Sequence, residues 1–406
     1  MSEQSSTNGP WNRSLAVCTV LALVCAGLVF WLARSPIINR LEYLFWDYRF
    51  QIRGGEGFAT DSVVIVEIDE RSYPELGKPE DWPRAYHARL VSALKDLGAK
   101  AIAFDIDFFK PSPKGTEDDA QFAQSMRQAG NVVLSVKQSP GEVRQGGKAP
   151  TLKLPVEPLR SFAAGLGLAD MQADGDGSVR SALLFIRNGE TLYPCLGFQA
   201  VALAFGEREC DIRFDPETGI AETCGMSIPC RKTIPIFPIN FAGPANTFTI
   251  VPYEQLLTPT GVDELAHDGA IQGSVVLVGS VLPGRHDFYT TPFSYKNREK
   301  TSGVEIHANI ARNLLAGDFV ERSGALSDLL ILVGISLLTA VFVNRYKPLP
   351  SLPLCILLAI LFTVIGITFF LWKRLMLANA GPILAVFLTY LASTGYQVLT
   401  RHGKAR

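Results

Sequence analysis

The sequence predicts an extracytoplasmic α/β domain between one N-terminal and three C-terminal transmembrane helices. Four apolar stretches are long enough to cross a bilayer, and strand and helix patterns alternate in the long segment between the first and second of them. With 48% apolar residues among 406, the chain is too apolar for an ordinary soluble protein. Its 38 basic and 39 acidic residues nearly cancel, which argues against a nucleic-acid partner.

The four apolar stretches define the predicted domain plan. A bilayer core of about 30 Å needs roughly 20 mainly apolar helical residues. The stretches are 15–33, 326–343, 352–372 and 382–399. Only the second carries a charge, Asp328, which lies at the end of its span. We therefore expect a short N-terminal segment at 1–14, a large outer domain at 41–321 and a tail at 400–406.

The flanking charges predict the orientation of these spans. Cytoplasmic flanks are enriched in Lys and Arg. The side that holds both termini carries Arg13, Arg345, Lys347, Arg401, Lys404 and Arg406. Both termini are therefore expected in the cytoplasm. A cleaved signal peptide is the alternative for the first span, but the run is long for that role and has no A-x-A site, so we favour an uncleaved anchor.

The cysteines fit an outer domain in an oxidising compartment. Three of the seven, Cys18, Cys25 and Cys355, lie in predicted spans, where a thiol behaves as a small apolar group. The other four are candidates for disulfides, with three possible connectivities: Cys195, Cys210, Cys224 and Cys230. Four free thiols remain the alternative. There is no C-x-x-C pair, which disfavours a zinc cluster.

The outer domain begins with a regular alternation of strands and helices. The predicted order is strand, helix, strand, helix, strand, at 63–68, 81–98, 101–104, 116–130 and 131–136. Asp81 is a candidate N-cap for the first helix, with Pro83 in its first turn. This order predicts right-handed crossovers and a parallel sheet covered on both faces.

The rest of the outer domain has a different pattern. Segment 139–270 is rich in Gly and Pro and has short alternating runs, which predicts an insertion of hairpins and loops. A buried strand is predicted again at 274–279, and a helix at 304–315 leads toward the second span. The sheet thus extends beyond the insertion.

Polar side chains follow the first two predicted strands. Asp69 ends the first strand, Asp105 ends the second, and Asp107 follows two residues later. Ligands of open α/β sheets bind outside the carboxyl ends of the strands, so these aspartates are candidate ligand-binding residues. The competing interpretation is that strand-end aspartates cap turns or helices, and it outweighs a catalytic role.

Further candidate residues lie on two helices. Trp82, Arg84 and His87 begin the first crossover helix, where backbone N–H groups and an arginine suit a small ligand, although a packed core histidine is at least as good an interpretation of His87. Glu305 and His307 begin the helix that leads to the membrane and are candidates for signal relay. Core packing is the favoured alternative for His307, since apolar residues recur on its helical face.

No complete catalytic set is present. The chain has no phosphate loop, nucleophile elbow or H-E-x-x-H helix. Asp174-Gly-Asp-Gly-Ser-Val-Arg180 begins like a calcium loop, but its twelfth position is Phe185, so a turn explains it better. We therefore predict no enzyme activity, no cofactor and no bound metal.

Several of these segments together resemble the CHASE2 family of extracellular sensor domains. The matching pieces are Asp47-Tyr-Arg-Phe50, 63–69 with Glu70 and Ser72, Trp82-Pro-Arg84, 98–105, Asp174-Gly-Asp-Gly with Arg180, and 303–309, followed by three closing spans. The ordered set is far more specific than any one piece. We add Asp47 and Arg49 of the first piece to the signal-relay candidates.

The resemblance implies a sensory input module that normally precedes a cytoplasmic cyclase, kinase or diguanylate cyclase. Only 400–406 follow the fourth span here, so output is expected from a membrane or cytoplasmic partner. We expect a multi-pass protein of a bacterial inner membrane, with its large domain in the periplasm, an unknown small-molecule or protein ligand, and a possible homodimer. An envelope assembly subunit is the second hypothesis, and a metal-dependent hydrolase a distant third.

Overall fold

The structure, a computed structural model, describes residues 10–55, 62–139, 151–207, 211–282, 287–294 and 299–402. The chain forms two compact units. One contains the chain up to Arg53 and again from Glu321 onward, and the other is Gly54–Val320.

The helices and strands of the described residues are numbered in chain order. The α-helices are α1 Pro10–Leu32, α2 Pro36–Arg53, α3 Tyr73–Leu76, α4 Arg84–Asp96, α5 Thr116–Ala129, α6 Leu159–Phe162, α7 Leu196–Ala204, α8 Pro259–Asp268, α9 Gly303–Ala316, α10 Ala325–Tyr346, α11 Pro348–Lys373 and α12 Ala380–His402. The strands are β1 Val63–Ile68, β2 Ala101–Asp105, β3 Val132–Gln138, β4 Leu152–Lys153, β5 Gly165–Leu168, β6 Ser181–Leu183, β7 Phe185–Asn188, β8 Thr191–Pro194, β9 Arg213–Asp215, β10 Ile220–Thr223, β11 Met226–Pro229, β12 Ile236–Pro238, β13 Thr249–Pro252, β14 Val275–Ser280, β15 Phe288–Tyr289, β16 Thr301–Ser302, β17 Glu321–Arg322 and β18 Leu375–Met376.

A largely parallel sheet organises the unit Gly54–Val320. The strand order is β13-β1-β14-β2-β3, and β3 also pairs with β5 in parallel and with β4 antiparallel. Val66 lies opposite Val278 in register, and Val278 lies opposite Phe104. The parallel strands point the same way, so their carboxyl ends meet at one edge. The predicted α/β class is confirmed.

The two faces of the sheet are covered by different helices. On one face, Val64 and Val66 join a buried apolar cluster with Leu90 of α4 and Phe122 of α5. The other face carries α7 and α9, which approach closely at Gly197, where an added Cβ would lie 2.6 Å from the carbonyl oxygen of His307. At Gly279 of β14, a Cβ would lie 2.5 Å from the Cβ of Val304 on α9. Glycine is therefore required for this packing.

The segment between β5 and β13 contains α7 and several short antiparallel pieces. It contains a three-stranded sheet in the order β11-β10-β9, the hairpin β7–β8 and the pair β6–β12. The β- and loop-rich insertion is therefore present but narrower than the predicted 139–270, because β5 and β13, which lie inside that range, are parallel strands of the main sheet.

The N-terminus of α4 is capped from another helix, not from Asp81. Asp81 belongs to a 3-10 turn, and the N-cap residue is Pro83, which makes no side-chain cap. Instead, the carboxylate of Asp118 on α5 accepts hydrogen bonds from the backbone N–H groups of Arg84, at 2.6 Å, and Ala85, at 3.0 Å. The predicted cap was wrong because the acceptor comes from a tertiary contact.

The other unit contains four helices that are long and apolar enough to cross a membrane. These candidate spans are Ser14–Leu32, Ala325–Tyr346, Pro348–Lys373 and Ala380–Thr400. The fully buried guanidinium of Arg49 on α2 donates hydrogen bonds to the carbonyl of Leu377, at 2.7 Å, and to the side chain of Asn379. Glu42 of α2 accepts hydrogen bonds from the backbone N–H groups of Asn379 and Ala380 at the start of α12. These contacts join α2 to the connection between α11 and α12.

Candidate functional site

A cleft of about 1130 Å³ lies at the carboxyl edge of the sheet. Ile68, Asp105 and Ser280 line it from the ends of β1, β2 and β14. Lys137, near the end of β3, and Ala169, directly after β5, line it at the same edge. Ligand sites of α/β proteins occupy this position, and the volume suits a small molecule. Five predicted residues line the cleft: Trp82, Arg84, His87, Asp105 and Asp107.

Asp69 does not line the cleft and is removed from the candidate ligand site. Its carboxylate accepts a hydrogen bond from the backbone N–H of Arg71 at 2.8 Å and pairs with the Arg71 guanidinium, so it caps the turn that follows β1. A strand-end aspartate can satisfy a local backbone donor within two residues, and this local role is the one the structure shows.

Arg84 is a wall of the cleft whose charge is already balanced. Its Nε lies 3.3 Å from a carboxylate oxygen of Asp119, a terminal nitrogen donates to the carbonyl of Lys110 at 3.1 Å, and the guanidinium lies 4.6 Å from the centre of the Phe108 ring. Asp119 also accepts a hydrogen bond from the backbone N–H of Ser112. Arg84 therefore holds the loop after β2 in place.

His87 and Trp82 form an aromatic wall with Tyr253. The Nδ1 of His87 lies 2.8 Å from the Tyr253 hydroxyl, and the His87 ring makes edge contacts with Phe104 and Phe108. Burial lowers the pKa of His87 to about 3, so the ring is neutral at physiological pH. The indole N–H of Trp82 donates to the carbonyl of Gly77 at 2.9 Å. The structure thus agrees with the core-packing interpretation of His87, although the residue also borders the cleft.

The opposite part of the cleft holds carboxylates. Asp105 is only 7% exposed, and among the described residues none donates a hydrogen bond to its carboxylate or forms an ion pair with it. Burial raises the pKa of Asp105 to about 6, and the nearby charge of Lys137 opposes this shift. Burial likewise raises the pKa of Asp287 to about 6, and burial also raises the pKa of Asp170.

Lys137 lies among these carboxylates but is paired with an exposed one. Its Nζ lies 2.8 Å from a carboxylate oxygen of Asp107, whose side chain is 52% exposed. Asp170 accepts a hydrogen bond from the backbone N–H of Gln138 at 2.7 Å, and Asp287 is hydrogen-bonded to the hydroxyl of Tyr289. Asp105 is the carboxylate of this group without such a partner in the described chain.

Sequence reasoning missed four of the charged or polar cleft residues: Lys137, Asp170, Asp287 and Tyr289. Two of them carried a usable signal. Lys137 lies near the end of β3, and Asp170 follows β5 by two residues, so the strand-end rule that selected Asp105 applies to both. Asp287 and Tyr289 lie outside the pattern of parallel strands and offered no comparable signal.

The relay candidates are distributed over both units. Asp47 and Arg49 belong to α2, and Glu305 and His307 belong to α9. Glu305 accepts hydrogen bonds from the backbone N–H groups of Asn246 and Thr247, at 3.1 and 3.0 Å, while burial raises its pKa. Glu305 therefore fixes the loop before β13 to the first turn of α9.

His307 lies next to the wall of the cleft. Its Nε2 is 3.4 Å from the carbonyl oxygen of Ala169, and its Nδ1 is buried without a hydrogen-bond partner in the described structure. Burial lowers the pKa of His307 to about 4, so the ring is neutral, and the charge of Asp287 opposes this shift. His307 connects α9 to the segment that lines the cleft after β5.

Two of the four disulfide candidates are free thiols. Cys195 is buried and free, Cys230 is half-buried and free, and Cys224 is disulfide-bonded, while Cys210 lies outside the described residues. The pairing prediction was therefore wrong for Cys195 and Cys230. Burial raises the pKa of both free thiols to about 12, which keeps them protonated.

The motif Asp174-Gly-Asp-Gly forms an ion-paired turn. The guanidinium of Arg180, 1% exposed, lies 3.2 Å from a carboxylate oxygen of Asp174 and 2.8 Å from one of Asp176. The two carboxylates that would bind calcium in a calcium loop are therefore paired with the Arg180 guanidinium. Across the described ranges, no group of three or more His, Cys, Asp or Glu side chains is arranged to hold a metal ion.

Comparison with known proteins gives one match. A family model for the CHASE2 domain matches residues 20–342. Neither a curated protein nor a solved structure matches the chain.

Proposed function

Because the chain belongs to the CHASE2 family of sensor domains, we propose that it is a membrane-anchored receptor that binds a small ligand in the cleft at the carboxyl edge of its sheet. The observation that carries this proposal is Asp105, a buried carboxylate that borders a large cleft and has no hydrogen-bond partner in the described chain. Buried charges are normally paired, and an exception at the edge of a cleft is typical of a binding site.

Helix α9 supports a route from this cleft toward the membrane. Its first residue, Gly303, donates its backbone N–H to the carbonyl oxygen of Asp287 at 2.9 Å, and His307 contacts the segment at Ala169. Both partners line the cleft. The helix ends at Ala316, and the chain enters the unit with the apolar helices at Glu321. A ligand that moves the start of α9 would thus displace the chain segment that leads to α10.

The proposal also covers the membrane orientation and the route of the signal. The positive-inside pattern gives the orientation. We place both termini in the cytoplasm, the four apolar helices in a bacterial inner membrane and the domain 41–321 in the periplasm. Buried Arg49 would hold α2 against the connection of α11 and α12, so that motion of the outer domain reaches more than one span. The expected reader of this motion is a membrane or cytoplasmic output protein, and no catalytic step is assigned to the chain itself.

A ligand screen with a blocked cleft tests the proposal. The full chain in lipid nanodiscs is screened by thermal shift against small metabolites, because a ligand at 100 times its Kd adds about 2.7 kcal/mol of stability. Met171→Trp places an indole at a half-buried cleft position, and Met226→Trp, at a half-buried position outside the cleft lining, is the matched control. We expect at least one compound to stabilise the wild type and the control but not Met171→Trp. Stabilisation that is equal in all three proteins would place the ligand elsewhere and refute the cleft.

A further inference from the structure

The described lining of the cleft holds four carboxylates and four cationic side chains, which differ in burial. The carboxylates of Asp105, Asp170 and Asp287 are buried or half-buried, whereas Lys110 and Lys153 are exposed. Resting on the proposed function, we infer that the ligand is a small molecule with a protonated amine, which binds with its ammonium group against Asp105.

The cations already in the cleft neutralise its carboxylates only in part. Arg84 is paired with Asp119, which lies outside the cleft lining, and Lys137 is paired with Asp107. The carboxylates of Asp105, Asp170 and Asp287 thus share the nearby charge of one ammonium group that has its own partner. A second ammonium group, supplied by a ligand, would relieve their mutual repulsion.

The hydrogen-bonding pattern of the three carboxylates selects Asp105 as the contact. Asp170 accepts a hydrogen bond from the backbone N–H of Gln138, and Asp287 accepts one from the hydroxyl of Tyr289. In the described chain no group donates to Asp105, which lines the cleft, so a donor with several N–H groups fits there. A neutral hydroxyl would donate to the carboxylate but leave its charge unbalanced, and an anionic ligand would place a like charge beside it.

The apolar part of the lining favours an organic amine over a simple cation. Trp82, Phe109 and Tyr289 bring aromatic rings to the cleft. Aromatic faces attract ammonium groups and also bury the carbon skeleton that carries them. The carboxylates are not arranged for a metal in the part of the chain that the structure describes. An aliphatic amine satisfies both the acidic and the aromatic side.

Amine binding should depend on pH in a defined window. The groups that act on Asp105 are Lys137, Asp107 and Asp170, and Asp287 interacts with Asp105, Tyr289 and His307. The pKa of Asp105 is about 6, so its ionised fraction falls about tenfold between pH 7.5 and pH 5.0. An aliphatic amine stays protonated over this range. Affinity for the amine is therefore expected to fall about tenfold.

Four probes with the same four-carbon skeleton test the inference in nanodiscs that hold the full chain. They are putrescine, 4-aminobutyrate, 1,4-butanediol and succinate, and ethanolamine and lysine extend the amines to other lengths. Binding is measured by thermal shift and calorimetry at pH 7.5 and 5.0. Asp105→Asn removes the charge at nearly constant shape, and Asp96→Asn, an exposed carboxylate outside the cleft lining, is the matched control.

The outcomes separate the inference from the proposed function. We expect binding of at least one amine, at least tenfold weaker in Asp105→Asn, unchanged in Asp96→Asn, and about tenfold weaker at pH 5.0. Binding only of butanediol or succinate, lost in Met171→Trp, would overturn the amine and keep the cleft as a sensor site. An amine that binds equally to Asp105→Asn also overturns the inference. No binding of any probe or metabolite would overturn both.

Discussion

The cleft contains two buried titratable side chains, His87 and Asp105, whose surroundings differ. His87 has a hydroxyl partner, Tyr253, and is enclosed by the rings of Phe104 and Phe108. Asp105 has no hydrogen-bond partner in the described chain. Burial disfavours the charged form of both groups, yet it makes His87 neutral at any physiological pH and leaves Asp105 able to ionise near pH 6. Similar burial thus gives a structural residue in one region and a candidate ligand contact in the other.

The largest change in stability is expected from replacing His87. His87→Ala creates a cavity among the aromatic rings and leaves the buried Tyr253 hydroxyl without its partner, so we expect a loss of about 3 kcal/mol of stability. Urea denaturation in nanodiscs, followed by tryptophan fluorescence, measures it, because Trp82 is the one tryptophan in 54–320. Tyr253→Phe removes the hydroxyl alone and should cost about 1 kcal/mol. A His87→Ala variant as stable as the wild type would contradict the structural role.

Replacing Asp105 is expected to stabilise the protein, whereas replacing His87 destabilises it. The pKa of Asp105 is raised from 3.8 to about 6 in the folded protein. Above pH 6, ionised Asp105 therefore lowers the free energy of unfolding. Asp105→Asn should therefore stabilise the protein at pH 7.5 by up to about 3 kcal/mol, since each pKa unit corresponds to about 1.4 kcal/mol.

The same variant makes a prediction about pH. As pH falls from 7.5 through 6, the folded protein protonates Asp105 while the unfolded chain remains ionised until about pH 3.8, so wild-type stability rises toward that of Asp105→Asn. Denaturation curves at pH 7.5, 6.0 and 4.5 check this convergence. A stability difference that stays constant with pH would show that Asp105 is not the titrating group.

The smallest effect is expected at the exposed carboxylate. Asp107 is 52% exposed and pairs with Lys137, and exposed ion pairs contribute about 0–1 kcal/mol. Asp107→Asn should therefore change stability at pH 7.5 by less than about 1 kcal/mol, measured by the same denaturation curves. A change as large as that of Asp105→Asn would mean that exposure does not distinguish the two aspartates.

The sequence predicted the fold and part of the cleft because both follow from strand periodicity. Alternating strand and helix patterns fix a parallel sheet, and a parallel sheet brings strand ends such as Asp105 to one edge. The same rule wrongly included Asp69, since a local turn captured that carboxylate. It could not supply Asp287, which lies in a loop, or the cap that Asp118 gives to α4, because these depend on tertiary contacts.

The glycine contacts of α9 limit how this helix can move. At Gly197 and Gly279, α7 and β14 meet α9 with no room for even a methyl group. Tilting α9 toward these neighbours would drive its backbone or the Val304 side chain into them, so the packing favours the small sliding motions that packed helices make. We therefore expect ligand binding to move α9 by a small displacement along its axis and not to change the tilt of the helix.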